Sequence, residues 1–81
     1  MCLGDYEVAL ENVNKAIDLN PDFTEAYNSR GIIRGQFREY ELALADFNKA
    51  LTLEPNKPST LQNIDTLLEL RYRHQSNVHN V

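Results

Sequence analysis

His74 and His79 stand five residues apart near one end of the chain, and Cys2 lies beside the other. Arg30, Arg34 and Arg38 recur at intervals of four. These residue types can hold metals, attack carbonyls or grip anions. The histidines, however, sit in the polar run HQSNVHNV with no acid nearby, so a metal there would lack further donors. Cys2 has no partner for an internal disulfide or a zinc site, and it reads as an inert thiol. There is no Gly-rich phosphate loop, because Gly31 and Gly35 fall inside a helical pattern. The acids are spread along solvent faces, where Glu11 and Lys15 make an ordinary i,i+4 pair. The three arginines share one helix face, which suits an anion, but packing against internal acids is the stronger reading. No catalytic constellation, metal site or cofactor site emerges. The expectation is a protein that is not an enzyme and takes no cofactor.

The bulk properties narrow the field further. A chain of 81 residues is one small domain at most. Chains of that size hide only about 60 % of their unfolded surface, so stability is a real constraint. Apolar and charged fractions of 42 % and 25 % are those of a soluble globular protein. The net charge of −4 argues against nucleic acid or an anionic membrane as partner. Asp5, Glu7 and Glu11 interrupt any signal-like apolar run, and nothing approaches a membrane span. The chain reads as cytoplasmic.

What positions these residues is a repeat. YEVALENVNKAIDLNPD, from Tyr6, returns as YELALADFNKALTLEPN, from Tyr40, 34 residues later. Nine of the 17 aligned positions are identical, and each copy closes on a proline, Pro21 or Pro55. Tyr6, Ala9, Val13, Ala16 and Ile17 fall three to four apart, as do Tyr40, Ala43, Phe47, Ala50 and Leu51. That is the apolar stripe of an amphipathic helix. Methyl groups at Ala9, Ala16, Ala43 and Ala50 let a neighbouring helix come close. Proline then stops each helix, since it has no amide and disfavours helical geometry in the residue before it.

Between the copies, residues 23 to 37 form another helical candidate, with Ala26, Tyr27, Ile33 and Phe37 able to face inward. Gly31 in its middle costs about 1 kcal/mol relative to Ala. That cost makes sense where another backbone passes close. A last helix is expected from about Ser59 to Arg73, with Pro58 at its start and Ser59 or Thr60 as cap. Residues 74–81 are expected to be a disordered polar tail.

These residues and their period resemble the tetratricopeptide repeat family, a 34-residue helix–turn–helix unit. The family's aromatic, small-residue, Ala-x3-aromatic and closing-proline positions fall on Tyr27, Gly31, Ala43 with Phe47, and Pro55. The resemblance implies an all-α fold, a right-handed α-solenoid of antiparallel helix pairs with about four helices. Residues 1–23 would be the second helix of an incomplete first repeat, resting on Ala9, Val13, Ala16 and Pro21. Residues 24–57 would be a complete repeat, and residues 58–73 the first helix of a third unit or a cap. Two departures stand out. Arg30 and Arg34 occupy places where the family prefers Leu and Tyr, and Asp65 occupies a place that wants a small residue. Arg30 within a helix interface would either pair with Asp46 on the next helix or reach water along its own stem.

The resemblance also implies where function lies, in a concave groove lined by the first helices of successive units. On this chain the groove residues would be Glu25, Asn28, Ser29, Ile32 and Gln36, then Ser59, Gln62, Asn63 and Thr66, with Leu70 at the edge. That surface reads as polar, nearly uncharged and rich in amides, which can bond the backbone of an extended peptide. The carboxylate clamp of one chaperone-binding subgroup would need Lys, Arg and Asn where this chain has Ser29, Ser59 and Asn63, so that clamp is absent. The expected function is a protein-binding adaptor or scaffold. The alternative is a structural role, in which the chain stacks or dimerises through its exposed end faces. The alternative arises because Tyr6, Ala9, Val13 and Ala16 would pack on a first helix that precedes the second, and none is present. A fragment of a longer array, a homo-oligomer and a lone solenoid of low stability all fit that observation.

Overall fold

A computed structural model describes residues 3–79 of the chain, with side chains from 4 to 73. Cys2 and the side chains of His74 and His79 lie outside that range. Four helices follow one another: α1 (Leu3–Leu19), α2 (Thr24–Gln36), α3 (Tyr40–Leu53) and α4 (Pro58–His79). There is no strand among the described residues. Each helix packs chiefly on its neighbour in sequence, α2 on α3 most extensively, and α2 also touches α4.

The connections follow from local chemistry. After α1, the Phe23 amide donates to the Asn20 carbonyl at 3.0 Å, and the Asp22 amide donates to the Asn20 side chain at 3.2 Å. Asn20 and Pro21 thereby occupy the two places in a turn that favour them. The Glu39 amide donates to Arg34 and the Arg38 amide to Gly35, a six-to-one and five-to-two pair that closes the end of α2. That closure needs a left-handed residue, usually glycine, and Arg38 supplies it at φ 64°. At α4, Pro58 takes the first helical position, where its missing amide costs nothing. Thr60 does not cap this helix. It is wholly buried and bonded to Asn28. The helix also outruns the expected end at Arg73 and reaches His79, since residues 74–79 contain neither Gly nor Pro to stop it. Residues 80 and 81 of the expected tail lie outside the described residues.

The centre is small. Ala26, Tyr27, Ala43, Phe47, Ala50 and Leu67 are its buried hydrophobics. Gly31 finds its reason here in a ring, not the backbone expected: a Cβ built on it would lie 2.5 Å from Cε1 of Phe47. The ring occupies the space that a side chain at 31 would need. The repeat-packing residues Tyr27, Gly31, Ala43, Phe47 and Ala50 are thus buried together. Ala9, Val13 and Ala16 stay half-buried, and Pro21 and Pro55 are exposed in their turns. Tyr6 departs from expectation. Its ring lies on Phe37, with centroids 4.2 Å apart, and its hydroxyl donates to Glu39, so it is already partnered by the α2–α3 turn.

Candidate protein-binding groove

Two helices separated by a hairpin build the groove. Gly31 and Gly35 of α2, one turn apart and both buried, line one wall. Leu67 and Leu70 of α4 form the other wall, and the Phe47 ring from α3 closes the floor. The hollow has a volume of about 280 Å³. Ile32 and Gln36 stand on one rim, Asn63 and Thr66 on the other. Four of the expected binding residues, on two helices, therefore meet around one cavity. Its floor is apolar, contrary to the polar surface expected, because Phe47, Leu67 and Gly35 lie deeper than the helix-surface positions.

The remaining expected residues are placed elsewhere. Asn28 is not on the groove surface. It is 6 % exposed, its Nδ2 donates to Thr60 Oγ1 at 2.8 Å, and that hydroxyl donates back to Asn28 Oδ1 at 3.0 Å. Both side chains are satisfied by each other, which suits a polar pair sealed between α2 and α4. Glu25 and Ser29 line a different hollow of about 210 Å³, between α1 and α2, beside Val13, Ala16 and Ala26. Ser59 and Gln62 are exposed and line neither hollow. Glu25 also meets Lys57 at 3.1 Å, and this bond, with the nearby charges of Glu25 and Glu54, raises the ammonium above its ordinary value.

Two arginines of the stripe share one carboxylate. Arg30 sets Nε and Nη2 against Asp46 Oδ1 at 3.0 and 2.8 Å, one of the two outcomes expected from sequence. Arg34 Nη1 joins at Asp46 Oδ2, 3.0 Å away. Arg30 Nη1 also donates to Asn14 Oδ1 of α1 at 2.8 Å, and its guanidinium lies 5.6 Å from the centre of the Tyr27 ring. Asp46 thus ties α3 to α2, and Arg30 carries the link on to α1. The Nε–H of Arg34 is buried and meets no acceptor. With Arg30 and Arg34 both on Asp46, only exposed Arg38 of the three points elsewhere, so the stripe is structural.

Among the described residues, no three His, Cys, Asp or Glu side chains gather as a metal site. No described helix is long and apolar enough to cross a membrane. Nothing matches the chain among curated proteins, and no solved structure matches it. Two family models do, each described as a tetratricopeptide repeat, one over residues 24–57 and the other over residues 3–23. With its 34-residue period, its Gly31–Phe47 contact and its stacked helix pairs, the chain belongs to the tetratricopeptide repeat family.

Proposed function

We propose that this chain is a protein-interaction adaptor whose α2–α4 groove takes an extended segment of a partner protein. Tetratricopeptide repeats generally mediate protein–protein interactions. The observation that supports the groove is the convergence of Ile32, Gln36, Asn63 and Thr66 on one apolar-floored cavity with no charged lining residue. Ligand pockets for whole small molecules run from about 300 to 1,000 Å³, so this one suits a single side chain of a larger ligand. A bulky apolar anchor would enter between Leu67, Leu70 and Phe47. The amides of Gln36 and Asn63 would bond the peptide groups on either side of it. The adaptor works in the cytoplasm and binds neither nucleic acid nor membrane.

Peptide selection from a random library against the 81-residue chain tests this reading. Selected peptides should share a large apolar residue and shift the Gly31 and Gly35 amide resonances. Asn63→Glu should weaken them by about tenfold, roughly 1.4 kcal/mol, and Glu7→Gln on α1 should not. Peptides that shift α1 resonances instead, or that ignore Asn63→Glu, would overturn the assignment.

A further inference from the structure

The 34-residue register relates the two hollows of this molecule. Adding 34 to Val13, Ala16, Ala26 and Ser29, which line the α1–α2 cleft, gives Phe47, Ala50, Thr60 and Asn63. Phe47, Ala50 and Thr60 are buried because α2 lies across the α3–α4 pair. The α1–α2 cleft is therefore the same seat one repeat earlier, and among the described residues nothing fills it. The helix that corresponds to α2 in the other repeat is α4. From the register and the structure we propose that α4 of one copy seats in the α1–α2 cleft of a second copy, so that chains add head to tail.

Shape supports this occupant. The positions of α4 that match the α3-facing side of α2 are Leu61, Ile64, Asp65 and Leu68. Leu61 and Leu68 are large hydrophobics left exposed. Asp65 matches Gly31, where a Cβ would strike Cε1, Cδ1 and Cζ of Phe47. At the matching place α1 carries Val13, which has none of those three atoms. The smaller partner makes room for the larger residue, and the carboxylate can point outward to water.

Charge supports it too. In the α2–α3 hairpin, residues 37–39 lie beside the start of α3. The same placement brings Arg71, which meets Glu41 of its own α3 at 2.7 Å, and Arg73, which meets Glu69 at 2.5 Å, to the first turns of α1 in the next copy, where exposed Asp5 and Glu7 can share them. A contact of one end with the other is heterologous, so it closes on itself only in a ring and otherwise runs on. Of the groove residues of α4, Asn63 lies off the stacking positions, whereas Thr66 and Leu70 match Ile32 and Gln36 and border the seam. Peptide capture can thus fail at Asn63 without loss of stacking.

Sedimentation equilibrium of the 81-residue chain, from micromolar to millimolar concentration, tests the proposal. The mass should rise past that of a dimer, and added salt should lower it by screening the Arg71 and Arg73 contacts. Val13→Glu and Leu68→Glu should each be monomeric, with helix content retained by circular dichroism. Mixed in equal amounts they should form a dimer and stop, since one intact face remains on each. Should Val13→Glu lose its helix, Ser29→Arg, on the exposed α2 wall, takes its place. A wild-type monomer at millimolar concentration would overturn the proposal. So would a dimer that survives Leu68→Glu, because that contact would be face to face.

Discussion

Replacing Asp46 by leucine separates two views of the arginine network. In the wild type the carboxylate is 4 % exposed and accepts from both Arg30 and Arg34, whose side chains are 19 % and 20 % exposed. Removing one member of a buried ion pair costs about 3 to 5 kcal/mol, because the remaining charge loses its compensation. Here Arg30 keeps Asn14 and the Tyr27 ring, and both guanidiniums reach some water, so the lower end applies, about 3 kcal/mol. For a domain of this size that is a fall in Tm of roughly 12 to 24 °C, at about 4 to 8 °C per kcal/mol. The triple variant Arg30→Leu, Arg34→Tyr, Asp46→Leu should behave oppositely. It removes every charge together, along with the unbonded Nε–H of Arg34, and its first two changes restore residues the family prefers. Replacing a whole buried triad with apolar side chains is neutral or stabilising by about 1 to 4 kcal/mol. Urea unfolding followed at 222 nm measures all three proteins. A single variant that loses less than about 1 kcal/mol, the range of exposed pairs, would refute the reasoning. A triple variant no more stable than the single one would do the same.

The two interior glycines of α2 should respond to alanine with opposite signs. Gly31→Ala drives a Cβ to 2.5 Å from Phe47, and overpacking of about 1 to 3 kcal/mol outweighs a helix gain of about 1 kcal/mol. Gly35→Ala meets only the flexible Cδ1 of Leu67 at 3.1 Å, so most of that gain, roughly 0.5 to 1 kcal/mol, should appear as stability. Equal shifts in denaturant midpoint would contradict the packing described. Arg38→Gly should stabilise by about 0.5 to 1 kcal/mol, because the left-handed residue at φ 64° carries a Cβ penalty larger than the added chain entropy of glycine. A thermal midpoint that falls would place the end of α2 in another conformation.

Much of this was legible before any coordinate, and particular residues show why. The repeat period places Ala43, Phe47 and Ala50 on one stripe, and the oddity of glycine inside a helix points to a close approach, though of a backbone and not of the Phe47 ring that is there. Arg30 points to Asp46 as one of two outcomes, since a long cationic stem can also reach water, and the helix angles decide for the pair. The arrival of Arg34 and Asn14 at the same cluster depended on helix angles that spacing does not carry. The sequence places Asn28 on the groove surface, because an amide near a helix edge suits either place. Its burial depends on Thr60, a residue 32 positions away whose hydroxyl could equally have capped α4. The groove rim was visible as four surface positions, but its apolar floor was not. Gly35, Phe47 and Leu67 belong to three helices, and no helical period links them. Tyr6 was assigned to a missing neighbour because a stripe shows which face is apolar without showing what covers it.

The docking order along the chain governs how the molecule opens. Apart from the Asn28–Thr60 pair, each helix is held mainly by the one before and the one after it. Loss of order at either end therefore need not propagate, and the α2–α3 hairpin can outlast both flanks as a separate cooperative unit. Amide protons of α3 would then be the last to exchange with solvent, and those of α1 would exchange early. A partner lodged between α2 and α4 would slow exchange in α4 far more than in α1, reporting occupancy without any label.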